Sequence, residues 1–134
     1  MAALSSDLAD IVAGVWHSEF NLTVELLPPG SLRGLPGPRS VAVVRIAGAW
    51  DGAIVLVCVG PTQGRSVGDL ARMIADSLSA LLPGRCILSP PETAASGLGP
   101  PQIPGAVPVL GGEFGGPGLA CSVTLFQNLP TPRP

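Results

Sequence analysis

Residues 66–84 read SVGDLARMIADSLSALLPG and carry the clearest periodic pattern in the chain. Apolar side chains recur at helical spacing, which predicts an α-helix with one buried stripe: Val67, Leu70, Ile74, Leu78 and Leu81. Ser66 suits the N-cap, and Pro83-Gly84 ends the pattern. The opposite face carries a polar row: Asp69, Arg72, Asp76 and Ser79. We expect this row to face solvent and to form the site.

The segments on both sides of this helix favour strands. A first helix is predicted over residues 5–20, capped by Ser6 or Asp7 and ending at Asn21. Alternating or continuous apolar runs predict strands over residues 22–26, 40–47, 53–59, 85–89, 106–110 and 119–127. The run 53–59 is apolar throughout, which is typical of a strand covered on both faces. Pro108 indicates an edge strand.

Proline and glycine divide these elements. Loops are predicted over residues 28–39, 90–105 and 111–118, and residues 128–134 are predicted to be a disordered tail. The fold class predicted from this order is α+β, with two helices packed on a mainly antiparallel sheet of five or six strands. We expect residues 1–134 to form a single domain.

Composition argues against several classes of partner. The net charge of the 134 residues is −2, all seven basic residues are arginine, and none lie in a basic run, so no nucleic-acid partner is expected. Neither a secretion signal nor a membrane span is apparent, which predicts a cytoplasmic protein with no membrane partner. The chain is 46% hydrophobic and 12% charged, which is typical either of a self-association or partner surface or simply of a glycine- and proline-rich chain of Ala, Leu and Val.

Metal and cofactor sites are not expected. Cys58, Cys86 and Cys121 are widely spaced, which is typical of reduced, mostly buried thiols, and His17 is the only histidine, which we expect at the surface. The segment 60–66 has the context of a phosphate-binding loop, but its spacing is one residue short. Arg65 replaces the lysine there, and Pro61 removes an amide donor.

Two stretches resemble a known family. Residues 67–84, VGDLARMIADSLSALLPG, resemble the central helix of the CheX-like chemotaxis phosphatases, which include CheC and FliY and read roughly LGELANMIGGNLKALLPG there. Residues 48–58, GAWDGAIVLVC, resemble the hairpin of the same family; Trp50 is predicted to be a core or interface anchor at its tip. The resemblance implies the α+β fold, a phosphorylated response-regulator receiver domain as the partner, and a homodimer.

The family motif Glu-x-x-Asn falls on Asp69 and Arg72, so both catalytic positions are altered. In the family, the amide orients the attacking water and the carboxylate pairs with a receiver lysine. Arg72 has no acceptor for that water, although it could contact phosphoryl oxygens. Met73 and Asp76 are the predicted partner-binding residues beside the motif.

Two functions therefore stay open from the sequence. One is a chemotaxis phosphatase acting on phosphorylated response regulators through an altered motif. The other is a catalytically inactive interaction or dimerisation module that retains the fold. A simpler alternative is that the row is a solvated helix face paired with itself. The connection before the motif helix is also shorter than in the family, which has an inserted helix and loop there.

Overall fold

The computed structural model describes residues 2–21, 23–28, 30–34, 39–48, 50–59, 67–81, 84–95, 105–116 and 119–128. Within these ranges the helices are α1 (Ala2–Phe20) and α2 (Val67–Ser79), with one 3-10 turn (Ser31–Gly34). The strands are β1 (Glu25–Leu27), β2 (Arg39–Gly48), β3 (Gly52–Val59), β4 (Cys86–Leu88), β5 (Glu92–Ala95), β6 (Ala106–Gly116) and β7 (Leu119–Asn128).

All described strands belong to one antiparallel sheet in the order β1-β6-β7-β3-β2-β4, and β5 also pairs with β2. The predicted α+β class, with two helices on an antiparallel sheet, is confirmed. The described sheet has seven strands rather than five or six. The extra strand is β5, which falls in the proline-rich region 90–105 that was predicted to be a loop.

The chain forms two halves of similar order. The first half runs α1, β1, β2, β3, and the second runs α2, β4, β5, β6, β7. The two halves meet where β3 pairs with β7, and each extends the other's part of the sheet. Strand β1 of the first half pairs with β6 of the second, and β4 and β5 of the second pair with β2 of the first.

The core lies between the two helices and one face of the sheet. α2 packs on β2 and β3, whereas α1 packs beside α2 and over β6. Every residue of β3 is buried, as its apolar run predicted. Alternate residues of β3 point to opposite sides: Ile54, Leu56 and Cys58 join the helix-side core, and Ala53, Val55 and Val57 join a smaller cluster on the other face.

Strand β6 overturns one prediction and agrees with another. The glycine-rich part of the predicted connection 111–118 is strand as far as Gly116, because its glycines allow neighbours to approach closely. A Cβ on Gly116 would lie 2.7 Å from the Thr23 carbonyl oxygen, and one on Gly115 would lie 2.8 Å from Leu27. Pro108 lies where β6 is an edge of the described sheet, as predicted, because β1 pairs only with residues 113–115. It lies at a register irregularity beyond the short β1.

Several predicted boundaries move. α1 begins at Ala2, so Ser6 and Asp7 lie inside the helix rather than at its N-cap. β1 starts at Glu25, the predicted loop 28–39 contains the 3-10 turn, and Leu81 lies beyond α2 and is 44% exposed. Asn128 belongs to β7 rather than to the tail. The predictions for Ser66, the segment 60–66 and the tail 129–134 fall outside the described residues.

The Gly-x-Trp-x-Gly hairpin has a steric explanation. Trp50 is half-buried against the helix-side core, and its ring lies directly over Gly52. A Cβ on Gly52 would collide with that ring and with the Phe126 carbonyl oxygen. Gly48 has a φ of 123°, which strongly favours glycine, and its N–H donates to Asp51 Oδ1 at 3.2 Å. The core-anchor prediction for Trp50 is therefore confirmed.

Candidate functional site

Helix α2 presents the predicted site on its outer side. Its inner side buries Val67, Gly68, Leu70, Ala71, Ile74, Ala75 and Leu78. Asp69 and Asp76 are exposed on the crest of the helix, as predicted. Successive residues turn by about 100°, so Arg72 and Met73 fall on opposite flanks of that crest. Both are half-buried.

Arg72 does not project outward with the two aspartates. Its Nη1 donates a hydrogen bond to the Ser89 carbonyl oxygen at 3.1 Å, which draws the side chain toward the connection between β4 and β5. The sequence had indicated pairing of Arg72 with Asp69 and Asp76 along the row. Among the described residues, however, the ion pair joins Arg45 to Glu92, at 3.4 Å, and not members of this row.

The Ser89 carbonyl, which accepts the hydrogen bond from Arg72, is held in place at the edge of the sheet. Ser89 N–H donates to the Arg45 carbonyl oxygen at 2.9 Å, and the Ser89 hydroxyl accepts from Arg45 N–H at 2.9 Å. Arg72 therefore reaches a fixed carbonyl, and its half-buried position is explained by a contact 17 residues away in sequence. No pattern in the sequence predicts this contact, because Ser89 lies in a short strand-end segment with no motif.

Met73 lies on the other flank of the crest, where α2 meets α1. With Ser77 it lines a shallow groove of about 360 Å³ between the helices. The α1 side of the groove is formed by Asp10, Ile11, Gly14, Val15 and Ser18. We did not predict these α1 residues as part of the site.

A repeat in the sequence could have revealed them. Residues 7–13 and 69–75 share the pattern Asp-Leu-Ala-x-x-x-Ala, offset by 62 positions. The structure gives the two copies equivalent buried positions: Leu8 and Val12 in α1, Leu70 and Ile74 in α2. Equivalent positions of the two helices also line the groove together: Ile11 with Met73, and Val15 with Ser77.

Other reactive groups lie away from this site. Burial raises the pKa of the Cys58 thiol to about 12. The pKa of Cys121 is also raised well above its ordinary value, first by burial and then by Cys58, its cross-strand partner. Both thiols are therefore neutral near pH 7 and poor nucleophiles. His17 is exposed, as predicted.

The described ranges hold neither a metal-ligand cluster nor a membrane-spanning helix. Among those residues, no three His, Cys, Asp or Glu side chains are placed to share a metal ion. Neither described helix is both long enough and apolar enough to cross a membrane. The chemistry available at the α2 crest is consequently that of carboxylates, a tethered guanidinium and an adjacent apolar groove.

Comparison with known proteins identifies the fold. No model of a protein family matches the sequence, and no curated protein matches it either. Solved structures do match over most of the chain. The chemotaxis protein CheX from Vibrio vulnificus superposes with a TM-score of 0.71 at 11% identity, covering 92% of this chain and 96% of that one.

Two further structures agree. CheX from Desulfovibrio desulfuricans has a TM-score of 0.67 at 15% identity and covers 92% of this chain and 97% of its own. The CheX–CheY–BeF3–Mg2+ complex from Borrelia burgdorferi gives 0.58 at 15% identity, with the same two coverages. The resemblance seen in residues 48–58 and 67–84 thus extends to the tertiary structure, and the chain has the fold of the CheX-like chemotaxis proteins.

Proposed function

We propose that this protein is a chemotaxis-type domain that binds the receiver domain of a phosphorylated response regulator and does not hydrolyse its aspartyl phosphate at an appreciable rate. Its fold supports the receiver partner, since a structure of the same fold contains CheY. The contact between Arg72 and Ser89 supports the absence of catalysis.

Hydrolysis of an acyl phosphate needs a group that orients the attacking water. A guanidinium offers five donors and no acceptor, so it cannot accept a hydrogen bond from that water. Arg72 in addition donates a hydrogen bond to the Ser89 carbonyl, toward the connection between β4 and β5. Asp69 keeps a carboxylate on the exposed crest, where it can meet a receiver lysine. Binding therefore survives in this arrangement, while positioning of the water, on which catalysis depends, does not.

The test follows phosphate loss from purified receiver domains of the same genome, each mixed with the unmodified protein or with Asp69→Glu/Arg72→Asn. We expect the unmodified protein to bind at least one receiver without accelerating phosphate loss. The double variant restores the amide and the longer acid, so we expect it to accelerate the loss partially. Arg85→Gln, at an exposed position outside the motif, removes one positive charge as Arg72→Asn does and is the control for the change in charge.

Three results would count against this proposal in different ways. Accelerated phosphate loss by the unmodified protein would show that Arg72 supports catalysis. A double variant that binds but stays inert would place the missing chemistry outside residues 69 and 72. Failure of every receiver to bind the unmodified protein would remove the proposed function itself.

We also propose that the protein forms a homodimer through an edge of its sheet. Two apolar side chains are exposed on the outermost strands: Leu26 of β1 is 65% exposed and Ile87 of β4 is 74% exposed. An open strand edge with an exposed apolar residue readily pairs with another chain. Light scattering at tens of micromolar should give the dimer mass, and Ile87→Glu or Leu26→Glu should give the monomer. A monomer mass for the unmodified protein would refute the dimer.

A further inference from the structure

The groove between α1 and α2 has an apolar floor that remains open in the folded chain. Ile11 and Val15 of α1 and Met73 of α2 supply the apolar side chains, and all three are only partly buried. The groove is shallow and open along its length, unlike the enclosed pockets that surround small molecules. Its shape suits a side chain projecting from the surface of another protein.

Gly14 keeps this groove open. It lies in the interior of a 19-residue helix, where glycine lowers helix stability relative to alanine. A Cβ added at Gly14 would meet nothing within 4 Å, so no neighbour within the fold requires the missing side chain. The equivalent position in α2 is Asp76, which is exposed on the crest. The space beside Gly14 is thus left free by the fold.

Among the described residues, the charge around the groove is one-sided. Asp10 lines it, Asp7 lies one helical turn earlier on the same side of α1, and Asp69 and Asp76 stand on the crest of α2. The cation of this surface, Arg72, is turned to the opposite flank by its hydrogen bond to Ser89. A cation on the occupant would be attracted by all four carboxylates.

This charge distribution selects between the possible occupants. A second copy of the chain would bring two acidic surfaces together, and like-charge juxtaposition opposes association. The sheet edges with Leu26 and Ile87 are the better surface for self-association. A cationic partner with an apolar projection satisfies both the floor and the rim of the groove.

We infer that the groove formed by Ile11, Gly14, Val15 and Met73 is the docking site for an apolar side chain flanked by basic residues on the receiver domain. The inference rests on the proposed function and adds α1 to the binding surface. The receiver then contacts both helices, with its apolar residue beside Gly14 and its basic residues near Asp10, Asp69 and Asp76.

The decisive variant is Gly14→Leu, which fills the groove with a good helix former. Its matched control is Ala47→Leu, which adds the same side chain at an exposed position on the sheet face away from the helices. Binding is measured by calorimetry with the receivers of the same genome, each loaded with BeF3 and Mg2+. We expect Gly14→Leu to weaken binding by about tenfold or more, as for a central contact of an interface, and Ala47→Leu to leave it unchanged.

A charge-matched pair tests the rim. Asp10→Asn and Glu25→Gln each remove one negative charge, but Glu25 lies on β1, outside the groove. We expect Asp10→Asn to weaken binding by about two- to fivefold and to reduce its salt dependence, since a rim charge acts mainly through long-range attraction. Glu25→Gln should change neither the affinity nor its salt dependence.

The outcomes separate this inference from the proposed function. If the unmodified protein binds a receiver and folded Gly14→Leu binds it within about twofold, the groove assignment is overturned and the proposed function stands. Equal effects of Asp10→Asn and Glu25→Gln would overturn the acidic rim. If no receiver binds the unmodified protein, both the proposed function and the groove assignment fail. Thermal melting of Gly14→Leu confirms that it is folded before its affinity is interpreted.

Discussion

The two helices share a sequence pattern but differ in how deeply they are packed. α2 buries seven of its 13 residues, including two alanines and a glycine, so it lies close against the sheet. Over residues 7–18 of α1, by contrast, the buried side chains are Leu8, Val12 and Trp16. The corresponding residues of α2 are Leu70, Ile74 and Leu78, so the largest of the six buried side chains belongs to the helix that packs less closely.

This difference indicates that the two helices contribute differently to stability and to recognition. Small residues let α2 approach the sheet, which fixes the crest that carries Asp69 and Asp76. α1 depends on one large side chain to fill the space beneath it, and its outer surface retains an open glycine. We therefore expect substitutions at equivalent positions of α1 and α2 to change the free energy of unfolding by different amounts.

The largest effect is expected at the equivalent pair Trp16 and Leu78, both fully buried. Trp16→Ala should lower the free energy of unfolding by about 3–5 kcal/mol, and Leu78→Ala by about 2–5 kcal/mol, because each leaves a cavity that relaxes only in part. Urea unfolding monitored by circular dichroism measures both. If Trp16→Ala costs less than about 1 kcal/mol, α1 does not depend on this residue and the contrast between the helices is wrong.

The second-largest change in stability is expected with pH and arises in the central strands, where Cys58 of the first half pairs with Cys121 of the second. Their raised pKa values mean that the folded state retains protons that the unfolded state loses, so the stabilisation is complete below about pH 9 and is lost as pH rises toward about 12. The chain has neither lysine nor tyrosine, so few other side chains titrate in this range.

Unfolding free energies measured between pH 8 and pH 10 should therefore fall by about 1–3 kcal/mol. Cys58→Ala should reduce the slope, because it removes one of the two thiols whose pKa is raised by burial. A stability that stays constant up to pH 10 would contradict the burial of the two central thiols.

A smaller effect is expected at the equivalent positions Arg72 and Asp10. Arg72→Ala removes the hydrogen bond to Ser89 and should cost about 1 kcal/mol, whereas exposed Asp10→Ala should change stability by less than about 0.5 kcal/mol. Arg72→Lys keeps the charge but lacks the planar fork, so it should recover less than half of the loss. Equal values for Arg72→Ala and Asp10→Ala would show that the tether contributes nothing to stability.

The smallest effect has the opposite sign. Gly14→Ala should raise the free energy of unfolding by about 0.5–1 kcal/mol, because alanine restricts the unfolded chain and fits without contact. The same change at Gly52 is the control, since its Cβ would collide with Trp50 and should destabilise the fold. A loss of stability in Gly14→Ala would mean that the space beside Gly14 is occupied in the free protein.

The sequence was sufficient for the fold class because its strongest patterns report burial. Apart from Leu81, the apolar period of α2 correctly predicted what lies inside, as did the continuous run of β3. The glycine-rich second part of β6, residues 111–116, was missed because glycine normally weakens a strand, and only the close approach of Leu27 and Thr23 explains its presence. Position 72 was located on the correct helix, but its hydrogen bond to Ser89 depends on a tertiary contact that no local pattern encodes.

The exchanged outer strands make the two halves inseparable in folding. Because β1 completes the second half and β4 and β5 complete the first, a polypeptide cut between Val59 and Val67 yields two pieces that each lack part of their own sheet. We expect such fragments to reassociate rather than to fold alone, since each exposes an unpaired central strand. The two halves are arranged like two subunits that exchange outer strands, joined in a single chain. Expressing the halves separately offers a route to a split reporter whose signal depends on reassembly.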